Sequence, residues 1–337
     1  MGRIDRFFRR RATTTAKNLA TRALHVSGAM GLALRNRRSN PMILMYHGVT
    51  RRAPDGLRNI EGKHVGIDRF AVQLRFVARY RRVVSLTEFI DGVLGGRDMT
   101  NAVTLTFDDG YENNVACAAQ VLSDHRLPAS FFLATGYIGV DRWMWVDRLE
   151  SALDRAAGQA TVDVSGLGRV SLQDRVAALK TIKAYAKKQP DERVQEIVAA
   201  VARQCETGDA APDGDYRFMT WDQARQLKAA GFEVGAHTVN HPLLARVPLE
   251  RGEREMLDSR DHIARELGTC CDVFCYPNGK AGDYTPEIMT SASRHFRAAL
   301  ATNRGPARAS ERYELRRIGV GHATTAAALA LALLRER

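Results

Sequence analysis

The sequence contains no run of 18 consecutive apolar residues, so no segment has the length and uniformity of a membrane-spanning helix. The best stretch, residues 19–34, is interrupted by Thr21, Arg22, His25 and Ser27, and no small-residue cleavage signal follows it. A secretory leader is therefore not expected, and a cytoplasmic location, peripheral on the inner membrane face, is the expectation, with export left open. Cysteine is scarce and odd in number, five in 337 residues. Cys270, Cys271 and Cys275 form no C-x-x-C pair, and neither Cys117 nor Cys205 completes a second cluster. A disulfide-stapled scaffold and a cysteine zinc module are both excluded, and the thiols are expected to be buried. No solenoid period is visible. Acidic residues are almost missing from residues 1–40, where Asp5 stands against ten Lys and Arg; this segment carries +9 of the formal +12. The remaining chain is nearly balanced, so the charge does not argue for specific nucleic-acid recognition by the fold. The segment reads as amphipathic, either a solvated arm or a strip for an anionic membrane surface.

What is present is globular composition, 45% apolar and 26% charged, at a length that suits two average domains or one α/β barrel. From Pro41 onward, apolar strands alternate with amphipathic helices. Met42-Ile43-Leu44-Met45-Tyr46 is a continuous apolar run before the polar turn of residues 47–50, and residues 51–66 read as a loop over the site, His64 among them. Helix 68–80 follows with Asp68 as its cap, then a brief strand at 83–86 and a helix at 87–93. Strand 103–107, helix 114–125 and strand 129–134 continue the rhythm. Continuous apolar strands separated by helices predict a parallel sheet covered on both faces. Residues 141–218 break the alternation and read as a helical insertion with a loop or hairpin near 158–169; Trp143 and Trp145 could line a sugar groove or simply pack. Strands then recur at 232–236, 273–276, 298–300 and 317–320, with a closing helix in residues 323–337. The expected organisation is a basic segment at 1–40, a barrel unit at 41–322 and the terminal helix.

Three polar clusters sit just beyond apolar strands: Asp108-Asp109-Gly110, His237-Thr238-Val239-Asn240-His241, and Pro277-Asn278-Gly279. In parallel α/β folds the carboxyl ends of strands converge on one site. Two imidazoles and one carboxylate make a set able to hold a Zn²⁺-type ion with coordination positions left open. Adjacent aspartates can divide the work, one binding the ion and one taking a proton from the attacking water. Taken singly, an Asp-Asp-Gly is a turn and an H-x-x-x-H is a solvated helix face; their joint placement after strands carries the argument.

Thr106-Phe107-Asp108-Asp109-Gly110-Tyr111 resembles the first motif of the polysaccharide deacetylases, the NodB-homology family of carbohydrate esterases. His237 to His241 resembles their histidine metal motif, and Phe274 to Gly279 resembles the third, groove-lining motif. The resemblance spans roughly residues 41–320. It implies a deformed, seven-stranded (β/α) barrel with a helical insertion, which removes acetyl groups from glycans. Carried over by position, it makes Asp109, His237 and His241 the metal ligands and Asp108 the base. It gives Tyr111 the backbone N–H of an oxyanion site and Pro277, Asn278 and Gly279 the substrate groove. Thr238 would steady the histidine loop. The implied ion is a divalent metal, Zn²⁺ first, with Co²⁺ or Ni²⁺ as alternatives.

The sequence departs from the family pattern twice. Cys275 stands where an arginine usually pairs with the catalytic aspartate, and a substitute could come from Arg316 or Arg317. The late Leu-x-His motif that supplies a proton to the leaving amine is not evident. Met45-Tyr46-His47-Gly48-Val49 resembles the opening strand of a bacterial branch that includes poly-N-acetylglucosamine deacetylases and offers His47 as the acid; His322 is the alternative. The expected function is metal-dependent removal of N-acetyl groups from an amino sugar in a glycan or lipid-linked saccharide. O-acetyl ester or small-molecule amide hydrolysis is the alternative on the same fold, and a catalytically silent glycan-binding protein is the alternative of another class.

Overall fold

Seven short apolar strands run parallel in the computed structural model, which describes residues 29–52, 57–156, 158–207, 211–212 and 214–335. Most of the basic N-terminal segment lies outside the described residues. The strands are β1 (Met42–Tyr46), β2 (Ala102–Phe107), β3 (Ser130–Leu133), β4 (Glu233–Ala236), β5 (Val273–Cys275), β6 (Ala298–Leu300) and β7 (Arg317–Gly319). Each pairs with the next in chain order from β1 to β6, and β7 returns to pair with β1. A bridge between Leu300 and Leu315, with Arg317 N–H donating to the Asn303 carbonyl at 3.0 Å, nearly closes the ring between β6 and β7. This is the expected deformed seven-stranded barrel.

Side-chain alternation divides the strands between two cores. Leu44, Tyr46, Leu105, Phe107, Phe131 and Phe274 pack outward against helix faces that carry Phe70, Leu74, Leu227, Met256, Ile263 and Ile288. Phe107 stacks between Tyr46 and Phe131 at centroid distances of 5.3 and 4.8 Å. Each such fully buried ring contributes about 1.5–3 kcal/mol of transfer free energy. Ile43, Phe132, Cys275 and Leu300 fill the interior, which the helix Leu86–Leu94 plugs at the amino-terminal end through Phe89 and Ile90. The register aligns the carboxyl ends: Tyr46 lies beside Phe107, Phe107 beside Phe131, and Leu133 beside Ala236. His47, Asp108 and His237 each follow one of these strands directly, so pairing alone delivers them to one rim.

The insertion between β3 and β4 contains the helix Trp145–Arg155, the hairpin Thr161–Val164 with Gly168–Ser171, and the helices Arg175–Ala186 and Asp191–Gln204. It has its own apolar cluster, including Leu149, Leu153, Ile182, Ile197 and Val201.

Several local expectations are corrected. Residues 48–50 are not a turn: Gly48–Thr50 pairs in parallel with His64–Gly66. The helix Ile67–Tyr80 begins at Gly66 without a side-chain cap, and Asp68 lies within its first turn. The early strand shrinks to Arg82–Val83, because Ser85 caps the next helix through Glu88 N–H. The segment 114–125 opens as a π-helical turn, Asn114–Ala119. Cys270 is exposed, whereas the other four thiols are buried.

Candidate active site

The site grows out of the turn after β2. Asp108 N–H still donates to the Tyr46 carbonyl at 3.0 Å, after which Asp109 (φ 76°) and Gly110 (φ 90°) adopt left-handed backbone. This reversal sends two adjacent carboxylates in different directions, and left-handed backbone at a non-glycine residue is a cost sustained mostly at functional positions. A Cβ on Gly110 would meet Ile138 Cδ1 at 2.9 Å and Leu133 Cδ2 at 3.1 Å, so glycine is required there on steric grounds too.

Asp109 faces the histidines. Its Oδ1 lies 3.5 Å from His237 Nε2 and 3.4 Å from His241 Nε2, and all three groups are buried. The Cys275 carbonyl can only accept, so His237 donates its Nδ1–H there at 2.7 Å, which turns Nε2 toward Asp109. The loop 237–241 is held from outside by buried Glu255, which accepts from the Val239 and Asn240 N–H groups at 3.0 and 2.7 Å and from Asn240 Nδ2 at 2.8 Å. Thr238 Oγ1 accepts from His241 N–H at 3.1 Å, so the threonine does brace the histidine loop.

Burial and mutual charge set the electrostatics of this triad. Burial, only partly opposed by Asp109, drives His241 down to about 3. At His237 burial also works against the charged form, but Cys275 and Asp109 outweigh it and hold the ring well above its ordinary value. At Asp109 burial disfavours the charge, yet the histidines keep the carboxyl well below the usual range. A buried carboxylate with two imidazole nitrogens at its edge matches the nitrogen–oxygen donor set of a divalent transition-metal site, and the residues fit such an ion.

Asp108 points instead into the barrel. Fully buried Arg317, from β7, grips it with Nη1 to Oδ1 at 2.8 Å and Nη2 to Oδ2 at 2.7 Å. The guanidinium is itself fixed by the Ala301 carbonyl at 2.9 Å and Thr106 Oγ1 at 3.3 Å. Arg317, not Arg316, therefore replaces the arginine missing from the third motif; Arg316 pairs at the surface with Glu311. Cys275 leaves the space for it, with its Sγ 3.0 Å from Arg317 Nη2. Burial tends to raise the Asp108 carboxyl, but Arg317 wins and holds it below the ordinary carboxylate range. Asp108, His237 and Cys275 form a second geometric cluster of ligand types. The Arg317 fork and the His237–carbonyl bond already occupy its donors, so it is a poor cation site.

The profile of the polysaccharide deacetylases matches residues 95–296. The chain belongs to the polysaccharide deacetylase family. Its fold resembles the Streptococcus pyogenes deacetylase PplD in complex with acetate (20% identity, 88% of this chain and 99% of that one, TM-score 0.59). It also resembles IcaB from Ammonifex degensii (17% identity, 88% and 97%, TM-score 0.58) and a de-N-acetylase from Aggregatibacter actinomycetemcomitans (15% identity, 87% and 100%, TM-score 0.54). No curated protein matches the sequence.

In this member of the family, a cavity of about 440 Å³ opens over the triad and gathers most of the sequence-derived candidates. Asp108, Asp109, His237, His241, His47 and His322 all line it. Burial pulls the His47 imidazole below its ordinary value against the attraction of Asp109 and Asp108. His322 is anchored through its N–H to the Gly62 carbonyl at 2.7 Å, while its buried Nδ1 has no hydrogen-bond partner among the described residues. Of the third-motif trio only Asn278 lines the cavity. Tyr111 turns its ring away and donates its hydroxyl to Asp147 at 2.7 Å. Its bridge to Phe218 uses Glu112 N–H and the Gly110 carbonyl, so the pairing leaves the Tyr111 N–H uncommitted. Trp143 and Trp145 do not line the cavity; Trp145 is buried in the core of the insertion. His64 does not reach over a sugar either, being buried edge-on between Tyr111 and Tyr216.

Four participants escaped the sequence reading. Lys63, which lines the cavity, pairs with buried Asp147 and donates to Tyr111 Oη at 3.1 Å. Lys183 and Lys187 enter from the insertion, and Glu255 supports the histidine loop from behind. Only Glu255 left a readable signal: it falls on the buried face of its helix with Gly252, Met256, Ser259 and Ile263, where an unpaired carboxylate is costly.

Proposed function

We propose that this protein removes N-acetyl groups from an amino sugar in a glycan or lipid-linked saccharide. The observation that carries the reading is the pairing of a buried Asp109–His237–His241 set with an Asp108 locked bidentately by Arg317 at the same rim. A divalent ion, Zn²⁺ in this reading, would be held by Asp109, His237 and His241 and would supply Lewis acidity toward water and the amide carbonyl. Asp108, kept ionised by Arg317, accepts the proton of the attacking water. The Tyr111 N–H donates to the carbonyl oxygen as negative charge develops on it. His47 returns a proton to the departing amine, with His322 across the same cavity as the alternative donor. The family match favours an amide in a glycan over a small-molecule amide. A place on the cytoplasmic membrane face belongs to this reading as well; among the described residues no helix is long and apolar enough to cross a membrane.

Acetate release from N-acetylglucosamine oligomers and from O-acetylated xylan separates amide from ester hydrolysis. Asp108→Asn is expected to keep the bound metal and lower kcat at least about a hundredfold, the scale of a lost general base. Metal loss in that variant, or acetate released only from the ester, would overturn the assignment.

A further inference from the structure

The cavity has an unusual lining for a sugar site: among the described residues it contains no aromatic ring besides histidine, and one wall carries Lys63, Lys183 and Lys187. Two of these ammonium groups face carboxylates, Lys63 with Asp147 and Lys183 with Glu61 at 2.6 Å. Lys187 is different. Its Nζ donates to Asn278 Oδ1 at 2.8 Å, and among the described residues no carboxylate lies within ion-pair distance. Glu61 and Asp283 act on it only from farther off, against Lys183 and Lys280. Burial, reinforced by Lys183, holds its pKa below the usual lysine value.

Asn278 adds a second donor. An ammonium can only donate, so the amide must present Oδ1 to Lys187 and its NH₂ elsewhere. That Nδ2 is buried and has no acceptor among the described residues. The residue is held in left-handed backbone (φ 57°), and Thr302 Oγ1 donates to its carbonyl at 2.7 Å. An unsatisfied N–H₂ beside an ammonium without a counterion is a cost that a bound oxyanion would remove.

We propose that Lys187 and Asn278 Nδ2 bind an anionic oxygen group, carboxylate or phosphate, carried by the acetylated saccharide, so that the substrate is an acidic glycan. This rests on the deacetylase reading for the adjoining chemistry but not for the binding itself. Lys187 comes from the insertion and Asn278 from the loop after β5, so the anion would bridge the insertion to the barrel.

The probes are an N-acetylglucosamine tetramer, the same tetramer bearing one 6-phosphate, and the same tetramer bearing one glucuronate. In the metal-loaded full chain, kcat/KM for one acidic tetramer is expected to exceed that for the neutral one by about tenfold. Lys187→Gln should shrink that ratio to within about twofold, and Lys187→Arg should restore most of it, whereas a merely structural lysine would leave the ratio unchanged. Which acidic tetramer gains tells phosphate from carboxylate. Calorimetric binding on the Asp108→Asn background reads the same preference without turnover. If neither tetramer is hydrolysed but the Lys187-dependent binding persists, the deacetylase reading fails and the anion site stands. Equal affinity for acidic and neutral tetramers, or an acidic preference retained by Lys187→Gln, overturns the anion site.

Discussion

Asp108 and Asp109 are neighbours in the chain and have opposite surroundings, because a left-handed turn splits their directions. One meets a guanidinium fork from β7, the other two imidazoles. The fork makes a specific prediction. Lysine at 317 would preserve the charge but offers one compact donor group in place of a planar pair. Arg317→Lys should therefore lower kcat about ten- to a hundredfold, the loss expected when a base keeps its charge and loses its orientation. Metal content, measured by elemental analysis, should stay at the wild-type level. Loss of metal with unchanged specific activity per bound ion would show that Arg317 serves the triad and not the base. Residue-level reading from sequence reached Asp108, Asp109, His237 and His241 because each follows an apolar strand. It could name Arg316 and Arg317 but not choose between them, since alternation along a three-residue strand only becomes decisive once β7 is seated beside β1.

At the scale of elements, the histidine loop is shaped by a helix it does not belong to. Glu255, on the buried face of Leu249–Leu267, satisfies two N–H groups and one side-chain amide of that loop. Its loss leaves buried donors unpaired and lets the His237–His241 geometry relax. Glu255→Ala should weaken metal affinity about ten- to a hundredfold, as removal of ligand-supporting groups does elsewhere. Competition with a chromophoric chelator measures this, and Glu255→Gln should recover part of it by keeping one acceptor oxygen. Affinity unchanged in Glu255→Ala would mean the loop holds its shape through Thr238 and the backbone alone. The strands at 103–107, 273–276 and 298–300 were legible from apolar runs. Gly48–Thr50 and His64–Gly66 were not, because a three-residue pair has no periodicity to read and exists only through its partner.

For the molecule as a whole, the triad sits at the rim of a core that is complete without it. The apolar clusters of the interior plug and of the outer helical layer include none of the three ligand residues. Metal should therefore act on stability by mass action and not as a folding nucleus: chelator-treated protein is expected to stay folded. Adding Zn²⁺ at a hundred times its Kd should raise stability by about 2.7 kcal/mol. Thermal denaturation of the apo and reconstituted forms tests this, and an unfolded apo form would show that the triad is structural.

The order of strands and helices, and the residues poised at the strand ends, were determined by the sequence itself. Apolar runs and the polar residues that end them are local features, and parallel pairing converts them into a common rim with no further information. The partners reaching that rim from a distance were decided only by tertiary structure. Arg317, 209 residues from Asp108, lies inside the barrel because Cys275 leaves room for it. Lys63, Lys183 and Lys187 look in sequence like the many exposed charges around them. Their roles arise from burial and from the groups they meet, which pairwise spacing along a chain does not encode.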